Sequence, residues 1–168
     1  MVLTFLTMND FPNLKNPIHF IATLGGVGKI PFAPGTWGSL FSFLLFILLS
    51  HYIDMHAVVF FSILFSIWIC EKASADLIEK DHSSIVIDEL AGMWVALLPA
   101  LYMTTQSSRT TYAILAFIFF RIFDIWKPFP ISYFDKNIKN GFGIVLDDVL
   151  AGILAIIPAL FLIYLGFL

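Results

Sequence analysis

Two pairs of adjacent acids, Asp88-Glu89 and Asp147-Asp148, stand in an otherwise apolar chain, and each pair opens onto Asp-x-Leu-Ala-Gly: Asp88-Glu89-Leu90-Ala91-Gly92 and Asp148-Val149-Leu150-Ala151-Gly152. An alanine and a glycine one turn beyond each acid let two helices approach closely, as small residues do where helices meet in a membrane. Such an approach would gather Asp88, Glu89, Asp147 and Asp148. Carboxylates crowded at a low-dielectric boundary repel one another and resist ionising unless a cation lies among them. A hard divalent ion with oxygen ligands answers this, and Mg²⁺ is the usual choice beside phosphate. The plainer reading places the acids at helix N-termini, where each gains about 0.3–1 kcal/mol from the dipole. One acid per helix would serve that purpose; two on each, flanked by Ile, Val and Leu, favour a site. The repeated pattern is too short to indicate a duplicated domain.

Arg121, Asp124 and Lys127 recur every third residue, so they lie near one helix face, which Pro128 then ends. A carboxylate between two cations suits a phosphate monoester, and an ion-pair ladder with snorkelling basic side chains is the alternative. Residues 25–39 contain Gly25-Gly26-Val27-Gly28-Lys29 and run to Thr36 and Ser39 just before an apolar run. A glycine-rich loop entering a helix can bring backbone N–H groups to a phosphate, with the dipole adding positive potential. Lys29 would add charge, and Thr36 or Ser39 would either cap the helix or donate to an anion. No Gly-Lys-Ser/Thr follows, so no nucleotide-binding Walker loop is present, and taken alone the segment is a turn and a cap. The charge run 71–81 reads mainly as a solvated face, with Asp76 a candidate further metal ligand.

These residues need elements to hold them, and composition decides which kind. Of 168 residues, 60% are hydrophobic and 12% charged, about half the charge of an ordinary soluble domain, and the mean hydropathy is +0.92. That excludes a disordered chain and a nucleic-acid binder with a basic face. Most of the charge falls in residues 71–89 and 121–148. Between and around these windows lie five apolar stretches, 37–53, 55–70, 90–103, 112–126 and 149–168. Crossing a bilayer takes about 20 helical residues; the last stretch meets this, and the others reach it by extending into their polar flanks or by dipping in without crossing. Period-2 alternation is absent, so helices rather than membrane strands are expected, with kinks at Pro99 and Pro158. The expected fold is all-α: an integral membrane helical bundle of about five membrane-associated helices plus polar cytoplasmic extensions, one domain over 1–168 with 1–19 as an N-terminal extension. If all five cross, every basic residue from Lys15 onward except Arg109 shares one side, which the positive-inside rule makes cytoplasmic. Cys70 is the single cysteine, so no intramolecular disulfide can form. The first fifteen residues carry Asp10 before Lys15, the wrong order for a cleaved leader.

Four segments together resemble one family. They are Ala33-Pro34-Gly35-Thr36-x-Gly38-Ser39, then Ile85-Val86-Ile87-Asp88-Glu89 with Gly92-Met93-Trp94, then Phe120-Arg121-x-Phe123-Asp124-Ile125-x-Lys127-Pro128-x-Pro130-Ile131, and lastly Gly141-x-Gly143-Ile144-x-x-Asp147-Asp148-Val149-x-Ala151-Gly152. In this combination and order they are similar to phosphatidylglycerophosphatase A, from about residue 20 onward. The resemblance implies a Mg²⁺-dependent phosphatase of bacterial inner membranes; the apolar segments and the bias of basic residues add that it is multi-pass with its site on the cytoplasmic face. It would remove the terminal phosphate of phosphatidylglycerophosphate to leave phosphatidylglycerol. It also implies a compact helical bundle around a central helix. Carried over by motif, Asp88, Glu89, Asp124, Lys127, Asp147 and Asp148 fall on the family's acidic and basic positions. Other phosphatase routes lack their residues: Cys70 is followed by Asp76 where a Cys-x5-Arg loop needs arginine, and neither Asp-x-Asp nor Ser-Gly-His occurs. The expected site therefore has Asp76, Asp88, Glu89, Asp147 and Asp148 as metal ligands. Asp88, Asp124 and Lys127 would be catalytic, and Lys29, Thr36, Ser39 and Arg121 would bind substrate. The alternative is a small membrane protein that binds or transports cations through the same acids. Expected partners are the lipid substrate and the membrane, with no nucleic acid, and the oligomeric state is open.

Overall fold

The structure, a computed structural model, describes residues 11–166 apart from residue 79. The N-terminal acid behind the leader argument thus lies outside the described residues, as does Glu79 of the charge run. Seven α-helices occur among the described residues: α1 (Pro17–Ala22), α2 (Pro34–Leu49), α3 (Met55–Ser74), α4 (Ile87–Leu97), α5 (Gln106–Trp126), α6 (Ile131–Asn137) and α7 (Gly141–Tyr164). Two short 3-10 turns, Val27–Lys29 and Leu98–Tyr102, precede α2 and follow α4.

Local chemistry explains most helix ends. Asn16, Asp54, Thr105 and Asn140 each accept a backbone N–H in the first turn of α1, α3, α5 and α7, as short polar side chains do at N-caps. Pro34 stands at the first position of α2, where its missing N–H has no helical partner to lose. Neither Thr36 nor Ser39 caps α2, because the helix starts earlier than the sequence indicated. Pro99 kinks nothing: α4 stops at Leu97, and the proline sits in the first turn of the 3-10 segment. Pro158 stays within a continuous α7.

The centre of the bundle is α4. All eleven of its residues are buried, with α2, α3, α5 and α7 packed around it. Three buried polar contacts pin it. The Trp94 indole donates to the Ser42 carbonyl at 2.8 Å, the Tyr112 hydroxyl to the Ala96 carbonyl at 2.9 Å, and the Ser66 hydroxyl to the Ile87 carbonyl at 3.0 Å. The two Asp-x-Leu-Ala-Gly turns face each other. A Cβ on Gly92 would lie 2.5 Å from the Asp148 carbonyl oxygen, and one on Gly152 would collide with the Gly92 carbonyl. The α4–α7 approach expected from these small residues is therefore present, and it is backbone-tight.

The outer faces are apolar. Phe41, Leu44 and Leu48 on α2, Phe60, Phe61 and Leu64 on α3, Ile114, Ile118 and Ile122 on α5, and Ile153, Ile157 and Phe161 on α7 are all exposed. Exposed apolar surface on this scale marks an interaction with lipid or protein. By length and composition α3 and α7 could cross a membrane, whereas α2 is apolar but has only 16 residues. α5 carries Arg109, Arg121 and Asp124.

Candidate active site

At one end of the bundle α2 and α4 begin, α5 terminates, and α7 enters with its second turn. A cavity of about 250 Å³ opens there, lined by Pro34, Gly35, Asp81, Asp88, Glu89, Asp124, Lys127, Asp147 and Asp148, among others. The acids of α4 and α7 are 4–7% exposed. The dipole reading covers only half of them. Asp88 and Glu89 lie in the first turn of α4, but Asp147 and Asp148 are the seventh and eighth residues of α7, beyond the turn over which the dipole acts.

Consecutive helix residues diverge by about 100°, so the acid pairs split. One oxygen each from Glu89, Asp124 and Asp148 lie within 4.8 Å of one another. Glu89 accepts from the Ser39 hydroxyl at 2.6 Å and from Arg121 at 2.6 Å. Arg121 also reaches Asp124 at 3.0 Å and the Ser39 oxygen at 3.0 Å. Asp148 has no ion pair or side-chain hydrogen bond among the described residues. A Cβ on Gly35 would strike the Glu89 carboxylate, which accounts for the glycine where α2 crosses this group.

The other acids form a second group, with single oxygens of Asp81, Asp135 and Asp147 again within 4.8 Å of one another. Lys127 binds two of them, Asp135 at 2.8 Å and Asp147 at 2.5 Å. It is the C-cap of α5, at φ 45°, a left-handed position commonly given to glycine, and that bend turns its side chain off the α5 face toward α6 and α7. Desolvation disfavours the Lys127 ammonium, but Asp147 and Asp135 outweigh it and hold the group above the ordinary lysine range. Partial burial likewise opposes the Asp135 carboxylate, and its bond to Lys127 prevails, keeping it below its usual value. Asp147 Oδ1 is buried with no hydrogen-bond partner.

Six carboxylates face Lys127 and the adjacent Arg121, so negative charge exceeds positive. An all-oxygen donor set, two three-acid groupings and an orphaned Asp147 oxygen fit a hard divalent cation.

Measured against expectation, the cavity brings together Asp88, Glu89, Asp124, Lys127, Asp147 and Asp148. Asp88 lines it, with Oδ1 accepting the Glu89 N–H at 3.0 Å, and belongs to neither three-acid grouping. Ser39 and Arg121 meet Glu89 behind the lining. Arg121 and Asp124 form the expected ion pair, while Lys127 leaves that row for Asp135. Lys29 and Asp76 are exposed and Thr36 is half-buried, and none of the three lines the cavity. Asp81 and Asp135 join the site although the sequence marks them only as members of charge runs. Glu71, from the same runs, accepts the Gly141 N–H at 2.7 Å and so fastens α3 to the start of α7.

A family model described as Phosphatidylglycerophosphatase A matches residues 20–163, spanning all the elements that build this cavity. The chain belongs to the phosphatidylglycerophosphatase A family. The phosphatidylglycerophosphatase A of Haemophilus influenzae is 43% identical over 148 residues, covering 86% of this chain and 88% of that one. Its Escherichia coli counterpart is 35% identical over 144 residues, covering 84% and 81%. A third relative, from Bacteroides thetaiotaomicron, is 37% identical over 154 residues, covering 86% and 94%, and bears the provisional name of a phosphatidylinositol-3-phosphatase. No solved structure matches the chain. Within the phosphatidylglycerophosphatase A match, all four sequence segments that carried the resemblance contribute atoms at or directly behind the cavity wall.

Proposed function

We propose that the cavity hydrolyses the terminal phosphomonoester of phosphatidylglycerophosphate, releasing phosphate and phosphatidylglycerol in phospholipid biosynthesis, and that it requires Mg²⁺. The observation that carries this is the meeting of Glu89, Asp124, Asp148, Asp147 and Lys127, from three helices and a helix cap, in one cavity of a chain in this family. Glu89, Asp124 and Asp148 would hold the cation, with Asp147 and Asp88 beside them. Bound there, the cation would neutralise phosphate oxygens and acidify water.

The chain's own residues supply the rest. Lys127 places a positive charge where the phosphoryl group gains charge during transfer. Asp135 holds that ammonium from the side away from the substrate, and Asp147 holds it from within the cavity. Arg121 and Ser39 fix the Glu89 carboxylate in one rotamer. Asp88, which makes no ion pair among the described residues, is placed to take a proton from water or to be the nucleophile. Gly35 keeps the wall thin enough for a headgroup to reach the acids.

The exposed apolar belt on α2, α3, α5 and α7 supports a multi-pass protein of the bacterial inner membrane, with α4 enclosed by the others. The basic residues at the cavity end favour a cytoplasmic site. The test is phosphate release by purified protein from a short-chain phosphatidylglycerophosphate with and without Mg²⁺, beside phosphatidylinositol 3-phosphate. Metal-dependent turnover that prefers the first substrate is expected; absence of release from either lipid overturns the proposal, and metal binding without turnover favours the cation-handling alternative.

A further inference from the structure

A second cavity, of about 220 Å³, lies at the opposite end of the bundle, between the last turns of α2, the first turns of α5 and the 3-10 segment after α4. It is graded along the helix axes. Toward the middle of the molecule its walls are Phe43, Phe46, Ala113 and Ile114, and at the helix ends its rim carries Ser50, His51, Gln106, Arg109 and Thr110. Phe46 and Ala113 are core residues, 2% and 5% exposed, so the apolar part is a built crevice. Arg109, at the rim, is exposed and makes no ion pair among the described residues. Asp54, the acid at this end of α3, is occupied by the His56 N–H and ring.

We propose that this cavity binds one anionic membrane phospholipid, with part of an acyl chain against Phe46 and Ala113 and its phosphate on Arg109. The volume is below the roughly 300–1,000 Å³ of whole-ligand pockets, which suits a single chain segment with the rest of the lipid lying along the exposed Ile47 and Ile114. Charge selects the headgroup, since the one cation at this rim has no protein carboxylate to neutralise it. Polarity selects the orientation: headgroup at the helix ends, chain toward the middle. The site is some 15 residues of α5 from Asp124, about 22 Å at helical rise, so it is separate from the catalytic cavity. It shares with the proposed function only the membrane setting.

The experiment is native mass spectrometry of the full chain purified in a neutral detergent, with equal amounts of dioleoyl phosphatidylserine and dioleoyl phosphatidylcholine. One phosphatidylserine per chain should be retained, in about tenfold preference over phosphatidylcholine, because both lipids carry the phosphate but choline neutralises it, leaving only phosphatidylserine with a net negative charge for Arg109. Arg109→Gln should bring the ratio near one while lipid phosphatase turnover persists. Ala113→Phe should expel both lipids, and Thr110→Trp at the rim should do the same if the first variant fails to fold. Equal retention of the two lipids by the unmodified chain, or unchanged phosphatidylserine retention in Arg109→Gln, overturns the proposal. So does loss of retention in Lys127→Ala with Arg109 intact, since that places the lipid in the catalytic cavity. Selective retention with no turnover on any lipid phosphate would leave this site standing and sink the catalytic reading alone.

Discussion

Asp147 and Asp148 are neighbours in the chain and serve different partners. The helix turns Asp147 toward Lys127 and Asp148 toward Glu89 and Asp124, and their substitutions should therefore differ. Asp148→Asn keeps the shape and removes a carboxylate that makes no ion pair among the described residues. It should lower phosphate release by at least about 100-fold, the scale of a lost catalytic group, with its circular-dichroism melting curve at or above that of the parent. Lys127→Ala should cost about 10²–10³ in turnover, as loss of one charge-stabilising donor does. Asp135→Asn should cost less, about tenfold, because Asp147 still holds the ammonium. If Asp135→Asn were as damaging as Lys127→Ala, Asp135 would be acting on the substrate directly; steady-state kinetics on the three variants ranks them.

Among the elements, α4 and α7 are the pair on which the site depends. Their backbones touch through Gly92 and Gly152, which sets the distance between Glu89 and Asp148. Gly92→Ala would place a methyl 2.5 Å from the Asp148 carbonyl and 2.8 Å from the Phe120 ring, and neither a buried backbone nor a fully buried ring moves cheaply. We expect a loss of about 1–3 kcal/mol, as overpacking costs, together with a fall in turnover as the acids separate. Thermal melting and phosphate release on the same preparation check both. Retained stability with unchanged activity would show that the helices can slide apart without opening the site.

At the scale of the whole molecule, charge balance and surroundings govern behaviour. If the excess of buried carboxylates at one end holds a divalent cation, as proposed, chelation should abolish turnover and also lower the melting temperature, with Mg²⁺ restoring both. Calorimetry of the chelated and reloaded protein measures this directly. The exposed apolar belt should resist alkaline extraction from membranes. Cys70 is buried, so cysteines introduced at Thr104 and at Lys139 can be labelled separately in intact and opened cells. Lys139 should react only from the cytoplasm and Thr104 only from outside.

Composition by itself dictated a largely apolar protein, because 12% charge cannot cover the surface of a soluble domain of this size, and the absence of period-2 alternation in its apolar runs made it helical. The paired acids and the Arg121 to Lys127 row were equally legible, since carboxylates flanked by Ile and Leu are costly without a purpose. The small residues after each acid announced the α4–α7 contact. Asp135 and Asp81 were not legible: local sequence shows only charges among charges, and it takes the left-handed turn at Lys127 and the packing of α6 on α7 to bring Asp135 to the ammonium, and the tertiary fold to set Asp81 beside Asp135 and Asp147. Nor could the sequence show that 90–103 holds the innermost helix. Its apolar run reads like any membrane segment, and only packing on every side distinguishes burial in protein from burial in lipid. Which acid meets which cation was likewise a tertiary decision, because adjacent positions on a helix face different neighbours and the neighbours come from far along the chain.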